Sequence, residues 1–491
     1  MSLHPSISKF KNEVTALAHK PWMQYVWLGL ITLLAAALRF YKLGEWSFWF
    51  DEIFTINRAS SQYSDLYGLI RHLPPAATWT PPSFIFTGFV MNALGISEWS
   101  SRLVPAVIGI ISIPIIYFPT KKEFGTAVGL ISVLLLAVSP WHIEWSQNAR
   151  FYSSLMVLYM LAAFAFYYAI ENDQPVLIYL FLILLYFAAS ERVTALLLVP
   201  VVIIYILLLK ILPFEKPAGL RLRNLRILFL AGVAFILYET YQLISTGNSN
   251  LLNAFLIFSP DRGPDPARLL SSILFNTGIP VVCLAFFGGI YLLLKRSRSG
   301  LFLFLGAVIP IGLLLVANSL MYTDERYVFI TLPSWIILGA VATKEIFSET
   351  RSQSRVLAAA VLALLLANAA YGNLLYFFET NGNRLDWRGG FELIQEKSVD
   401  GDLFVSYWPD LGTYYLGKDV LSLADVNPEL ITASGHRTWF VIDNFAVWSV
   451  AKTSLWVERH CQLMMFDEMF VNRTELLRIY LCEPARPNVS E

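Results

Sequence analysis

Long apolar blocks separated by short polar stretches run along most of the chain, and their lengths set the fold class. A bilayer core about 30 Å thick takes roughly 17–25 apolar residues per helix, because every backbone polar group must be satisfied within the segment. Eleven segments come close to this: 23–41, 102–120, 125–139, 151–170, 176–190, 193–211, 227–244, 271–294, 301–320, 327–343 and 356–377. The pattern therefore predicts about eleven transmembrane helices. The apolar stretch 85–97 has only 13 residues and follows the stiff pair Pro81-Pro82, so it reads as an interfacial or re-entrant helix. Beyond residue 377 the pattern changes. Short β-prone runs at 402–408, 438–443 and 476–482 alternate with polar turns and with helix-like stretches at 389–397 and 450–459. That predicts a small α/β domain, long enough at 114 residues (378–491) to bury its own core. The expected organisation is a cytoplasmic N-terminus over 1–22, an all-α polytopic membrane domain over 23–377, and an extracytoplasmic α/β domain over 378–491. The first apolar run lacks a small-residue cleavage pattern and reads as a retained span, not as a signal peptide.

Composition agrees and adds exclusions. Of 491 residues 56% are apolar and 15% aromatic, which excludes a disordered chain. Lys+Arg and Asp+Glu are tied at 36, with no basic stripe, so nothing supports nucleic-acid binding. Three cysteines are too few for a disulfide scaffold or a thiolate metal site; Cys461 and Cys482 either pair in an oxidising compartment or remain two free thiols. The sequons at Asn472 and Asn488 read as chance matches in a chain whose compact loops look bacterial.

Zero net charge conceals a polarity. With the N-terminus inside and 85–97 not crossing, the cytoplasmic segments hold sixteen Lys/Arg and the outer loops ten, only one of them a lysine. The positive-inside rule supports that orientation in a bacterial cytoplasmic membrane. An odd number of spans then places the tail outside, with 10 basic and 17 acidic residues. Two outer segments are large. Residues 42–101 carry Trp46, Trp49, Tyr63, Tyr67, Trp79 and Trp99, aromatics of the kind that settle at headgroup level. Residues 245–270 are rich in Gly, Pro and Asp around a short apolar stretch, the make-up of a mobile flap or of a simple connecting loop.

Charged residues near the hydrocarbon are the candidates for function, since each is costly unless paired or put to use. Asp51 and Glu52 stand together just past the first span, ahead of a helical stretch IFTINRAS. One of the pair can do chemistry while its neighbour caps or holds the loop; simple solvation at a loop start is the alternative. The stretch 139–154 packs His142, Glu144, Gln147 and Arg150 at the outer end of the third span. Arg150 can grip a phosphate with its fixed fork, pair with Glu144, or snorkel to headgroups. Glu191-Arg192 and Asp324-Glu325-Arg326-Tyr327 repeat an acid beside an arginine in short outer loops, which local ion pairs alone would also explain. The topology puts Asp51, Arg150, Arg192 and Arg326 on one side at similar depth, which predicts an arginine-lined polar cavity opening at the outer leaflet.

These stretches resemble the membrane-embedded glycosyltransferases of the GT-C fold, specifically the bacterial relatives of protein O-mannosyltransferases and of the aminoarabinose transferase that modifies lipid A. The resemblance runs from about Phe40 to Phe377. It rests on WFDEIFT at 49–55, PPSFIF at 81–86, SRLVPAVIGI at 101–110, SPWHIEWSQNARFY at 139–152 and DERYVFITLP at 324–333. It implies transfer of a sugar from a polyprenyl phosphate to a protein, lipid or glycan acceptor at the outer face of the membrane. Asp51 would then be the catalytic aspartate of the first loop, with Glu52 beside it. Arg150 and Arg326 would bind the donor phosphate, with Arg192 a further phosphate ligand on a looser match. Arg58, His142, Glu144, Asp324, Glu325 and Tyr327 are supporting or acceptor-binding candidates. The chain departs from many relatives in having Thr80 where a histidine precedes the two prolines, and His72 does not replace it by position. The acids and histidines do not assemble a metal-ligand set by spacing, so no metal cofactor is expected, although metal use varies across the superfamily. Arginines holding a phosphate leaving group and a carboxylate activating a hydroxyl on the opposite face of the sugar predict a single displacement with inversion. The rival readings are a transporter or flippase of lipid-linked sugars, which predicts related halves or interrupted helices, and a non-catalytic envelope assembly protein.

Overall fold

The computed structural model describes residues 21–62, 81–247, 263–348, 352–470 and 474–484. Expectations that fall on Tyr63, Tyr67, His72, Trp79, most of the 245–270 segment and the two sequon asparagines lie outside these residues.

Among the described residues fifteen α-helices build the first part of the chain. In order they are α1 (Met23–Phe40), α2 (Phe50–Gln62), α3 (Pro82–Leu94), α4 (Glu98–Phe124), α5 (Thr126–Val138), α6 (Pro140–Ser146), α7 (Tyr152–Glu171), α8 (Pro175–Glu191), α9 (Leu198–Ile211), α10 (Leu222–Thr246), α11 (Pro266–Thr277), α12 (Ile279–Leu294), α13 (Arg298–Asn318), α14 (Leu332–Ser348) and α15 (Ser352–Leu374). Short 3-10 turns at Val193–Leu197 and Glu325–Thr331 lead into α9 and α14. Proline supplies many of the starts: Pro82, Pro140, Pro175 and Pro266 each open a helix where the missing N–H costs nothing. Ser97 and Ser100 cap the N-terminus of α4 with a reciprocal capping box.

The chain is a multi-pass membrane protein. Among the described residues eight helices are long and apolar enough to cross a bilayer, or ten if each of two bent pairs counts as one span. The expected count of eleven turns on one further stretch, 176–190. It folds as α8, an apolar helix of 17 residues that rises about 26 Å and so stands at the lower limit of spanning length. The stretch 271–294 is also not one rod, because α11 and α12 meet at 88° at Gly278. That glycine adopts φ 92°, a backbone conformation that side chains disfavour. Pro82–Leu94 spans about 20 Å, too short to cross, as its sequence implied.

The helices sort by burial. α7 is buried around most of its circumference and forms the axis of the bundle, packed against α4 and α8, whereas α10 is almost wholly exposed. Exposed Leu, Ile and Phe such as Leu33, Ile111, Phe118, Ile203, Phe229 and Phe287 are the residues a lipid solvent would cover.

The tail is a small mixed domain. Its sheet has the order β2-β1-β3-β5-β4, built from β1 (Leu403–Ser406), β2 (Leu421–Ser422), β3 (Thr438–Asp443), β4 (Gln462–Phe470) and β5 (Thr474–Cys482). β1 runs parallel to β2 and β3, while β5 is antiparallel to both β3 and β4. Around it lie α16 (Trp387–Lys397), α17 (Pro409–Leu416), α18 (Pro428–Ala433), α19 (Asn444–Ser449) and α20 (Ala451–His460). The three expected β runs and both expected helices are present; β4 and the two-residue β2 were not anticipated. Cys461 and Cys482 form a disulfide between the end of α20 and the end of β5.

The tail is continuous with the membrane domain. Leu385, Trp387, Phe391, Trp439 and Leu477 belong to the same apolar core as the membrane helices, while Val405, Phe440, Ile442 and Tyr480 form a second core on the other side of the sheet. Polar contacts seat it on the first outer loop: Tyr415 Oη accepts from Phe48 N at 2.6 Å, Ser47 Oγ donates to Leu385 O at 2.9 Å, and Arg388 pairs with Glu98 at 2.5 Å.

Candidate active site

The first turn of α2 holds two adjacent acids, and a helix rotates successive side chains by about 100°, so they face different surroundings. Asp51 faces a cavity of about 370 Å³ that Arg150, Arg192, Arg268, Arg326 and Arg384 also line. Its Oδ2 accepts from Arg326 Nη1 at 2.7 Å, and Arg150 Nη2 lies 3.5 Å from Oδ1. Arg150 is held in turn by the Asp51 carbonyl and by Thr55 Oγ1, both at 2.9 Å from its Nη1. Burial by itself favours the protonated acid, but Arg150, Arg326 and Arg192 outweigh it and hold the Asp51 carboxyl below the usual range.

Glu52 points the other way, into the protein, and is fully buried. Arg102 grips it with two bonds, Nε to Oε1 at 2.8 Å and Nη2 to Oε2 at 2.7 Å. Arg384 Nε stands 3.5 Å from Oε2, and the backbone N–H of Ala149 donates to Oε1 at 2.8 Å. The remaining Arg102 donors go to the carbonyls of Leu43, Trp46 and Ser47. Burial opposes the charge on Glu52, and Arg102 with Arg384 overcomes it, so its carboxyl too sits below the usual range. Glu52 is absent from the cavity lining; it ties the loop that carries Asp51 to the loop that carries Arg150.

The other expected residues divide in the same way. Arg192 lines the cavity with its guanidinium 4.3 Å from the Tyr327 ring centre and 5.5 Å from that of Phe151. Its neighbour Glu191 turns away and accepts from Ser83 N and Ser83 Oγ at the start of α3. Acid and base in that turn are therefore not partners, and Arg150 pairs with Asp51 and not with Glu144. Asp324 does hold its local arginine, with Oδ1 accepting from Arg326 N at 3.2 Å and Oδ2 3.6 Å from Nε. Glu144, Asp324, Glu325 and Tyr327 all line the cavity. His142 does not. It is buried beneath, where Arg39 Nη2 donates to Nδ1 at 2.7 Å, which fixes the ring proton on Nε2, next to Ser112 Oγ at 3.2 Å. An added Cβ at Gly109 would strike Ser146 beside this histidine, so the glycine lets α4 approach α6. Arg58 lies two turns beyond Asp51 and is also absent from the lining.

Several lining residues escaped sequence reasoning. The 60° bend between α5 and α6 brings Trp141 and Trp145 to the cavity beside the expected Glu144, and the 88° bend brings Arg268 and Asn276. Asn383 and Arg384 come from the linker after the last span, and Asp443, Phe445, Met469 and Glu475 from the tail. Trp141 and Trp145 lie inside the SPWHIEWSQNARFY stretch, and Arg102, which holds Glu52 outside the lining, lies inside SRLVPAVIGI, so these three carried a usable signal. Among the described residues no group of three or more His, Cys, Asp or Glu side chains is arranged to hold a metal ion.

Comparison with known proteins bears on this geometry. A crystal structure of apo ArnT from Cupriavidus metallidurans superposes with a TM-score of 0.59 at 14% identity, over 92% of this chain and 98% of that one. This chain shares the fold of that protein. The same ArnT bound to undecaprenyl phosphate gives a TM-score of 0.54 at 13% identity, over 94% of this chain and 99% of that one. The apo oligosaccharyltransferase of Archaeoglobus fulgidus gives 0.57 at 12% identity, over 91% of this chain and 73% of that one. The family model for dolichyl-phosphate-mannose-protein mannosyltransferases matches residues 74–238, a stretch that includes Arg102, Arg150 and Arg192 but neither Asp51 nor Arg326. No curated protein matches the chain.

Proposed function

We infer that the protein is an inverting glycosyltransferase that moves a sugar from a polyprenyl-phosphate donor to a hydroxyl of a protein, lipid or glycan acceptor. The observation that carries this reading is the meeting, in one cavity of a GT-C fold, of Asp51 with Arg150, Arg192 and Arg326, drawn from four separate outer loops. The arginines, with Arg268 beside them, hold the donor phosphate and stabilise the charge that develops on it as the glycosidic bond breaks. Asp51 accepts the proton of the acceptor hydroxyl as its oxygen bonds to the anomeric carbon. One displacement inverts that carbon; retention would need a nucleophile and a covalent intermediate. The guanidinia supply the positive charge the phosphate requires, and the reading calls on no metal.

Orientation belongs to the same proposal. The lysine-rich loops face the cytoplasm of a prokaryotic cell, and the cavity and tail lie on the outer side. The Cys461–Cys482 disulfide supports this placement, because such bonds persist in oxidising compartments. Interrupted helices also occur in transporters, but here both bends deliver side chains to a cavity that contains a carboxylate suited to activating a hydroxyl.

The deciding experiment incubates purified protein with a panel of polyprenyl-phosphate sugars and membrane extract, with and without a chelator, and determines the anomeric configuration of the product. Transfer with inversion is expected, insensitive to chelation and abolished in Asp51→Asn. Transfer that survives this substitution at full rate removes Asp51 from the chemistry, and a retained configuration removes the single displacement.

A further inference from the structure

Asp51 already occupies the arginines that a donor phosphate would need. Arg326 Nη1 donates to Oδ2 at 2.7 Å and Arg150 Nη2 lies 3.5 Å from Oδ1, while the cavity stays open to solvent around them. The two arginines are held differently. Arg150 is pinned to α2 by the Asp51 carbonyl and Thr55 Oγ1. The Arg326 guanidinium has a looser seat: its Nε is 3.6 Å from Asp324 Oδ2, and its centre lies 5.7 Å from the Trp49 ring and 5.9 Å from the Tyr327 ring. Arg326 can therefore pass to a second anion while Arg150 keeps its place.

Carboxylate and phosphate offer a guanidinium the same paired acceptors, so one arginine fork cannot serve both fully. A carboxylate engaged by two arginines is also a poor base, since both contacts favour its charged form. We propose that Asp51 and the donor phosphate compete for Arg326, so that the catalytic base is masked in the empty enzyme and released when the polyprenyl phosphate binds. This rests on the glycosyl-transfer reading above.

The sequence of events balances. The donor phosphate takes Arg326, with Arg192 close by over the Tyr327 ring, and Asp51 loses its shortest ion pair. Freed, its carboxylate gains proton affinity. The acceptor oxygen forms its bond to the anomeric carbon, the bond from that carbon to the phosphate oxygen breaks with its electron pair kept by the phosphate, and the hydroxyl proton moves to Asp51. A protonated Asp51 does not compete for Arg326, so the product phosphate stays until the proton leaves to solvent. The returning carboxylate then helps to expel it. Donor binding would precede acceptor activation, which keeps water and stray hydroxyls from being activated in an empty cavity.

The test is binding of undecaprenyl phosphate to purified full-length protein in detergent, followed by the fluorescence of the cavity tryptophans Trp49, Trp141, Trp145 and Trp387. Competition predicts that Asp51→Asn binds the phosphate about tenfold more tightly than wild type, within the ordinary range of coupling between sites. In an Arg326→Gln background the same substitution should change affinity by less than about twofold, because the contested group is gone. Asp51→Ser, checked by thermal unfolding, repeats the measurement should the asparagine variant fail to fold. Equal or weaker binding in the Asp51 variants, with wild type still binding, overturns the competition and leaves glycosyl transfer standing. Binding by none of them, or equal binding of the phosphate-free polyprenol, overturns both.

Discussion

At the scale of single residues, two adjacent acids with the same chemistry have opposite surroundings. The Asp51 side chain keeps 17% of its surface exposed to the cavity and Glu52 keeps none. The Glu52–Arg102 pair is a buried bidentate contact, and removing one partner strands the other charge. Glu52→Gln should cost about 3–5 kcal/mol, and adding Arg102→Met should recover much of that loss, because a buried pair is far cheaper to replace than to halve. Thermal unfolding of the two variants in detergent checks this; equal stability of Glu52→Gln and wild type would refute a keystone role. Asp443 provides a second case, outside the membrane spans. Burial pushes its carboxyl up to about 6, against the bonds it accepts from Ala446 N at 2.9 Å and Trp408 Nε1 at 2.8 Å. The unfolded acid titrates near 3.9, so between these values folding takes up a proton; stability is fullest below about pH 4 and falls by roughly 2–3 kcal/mol as pH rises through 6. Asp443→Asn should flatten this part of the stability–pH curve, which unfolding midpoints at pH 4, 5, 6 and 7 would show.

At the scale of elements, the membrane helices owe their packing to small residues and their breaks to proline and glycine. Gly288 on α12 faces α14, where an added Cβ would run into the Leu338 carbonyl. Lipid provides no hydrophobic drive between helices, so close backbone approach has to supply the contact. Gly288→Ala should lower stability by about 1–3 kcal/mol, the usual range for overpacking, while Gly312→Ala, with open space at its Cβ, should not. Melting temperatures of the two variants make the comparison. The bends matter more for function than for stability: a straight α5–α6 or α11–α12 would take Trp141, Glu144, Trp145, Arg268 and Asn276 from the cavity. Sequence showed the apolar run at 271–294 but not its break, because Thr277-Gly278 is also tolerated inside a continuous helix.

At the scale of the whole molecule, the tail is one wall of the cavity. Phe50, next to Asp51, stacks on Trp408 with ring centres 4.2 Å apart and planes 7° from parallel, and Phe445 meets both rings. The linker arginine Arg384 reaches the Glu52 carboxylate from the other side. The loop carrying the proposed base is thus gripped by two parts of the chain that follow the last span. Trp408→Ala should lower transfer more than it lowers stability, by up to roughly a hundredfold for a displacement on the order of 1 Å at the base. A rate assay alongside thermal unfolding separates the two effects, and a loss confined to stability would show that the tail only supports the fold.

The sequence by itself determined the solvent this protein lives in, the position of nearly every membrane helix, the α/β character of the tail and the candidacy of Asp51, Arg150, Arg192 and Arg326. These are local facts, since a long apolar run or a charge beside one states its cost wherever the chain goes. It did not determine which acid faces the cavity, which arginine each acid pairs with, or that Arg384, Asp443 and Phe445 join Asp51, more than three hundred residues before them, in one site. Those outcomes depend on helix rotation, on two bends and on the docking of the tail. Only the tertiary structure settles them, because pairing and burial belong to the neighbours a residue meets in space and not to those beside it in the chain.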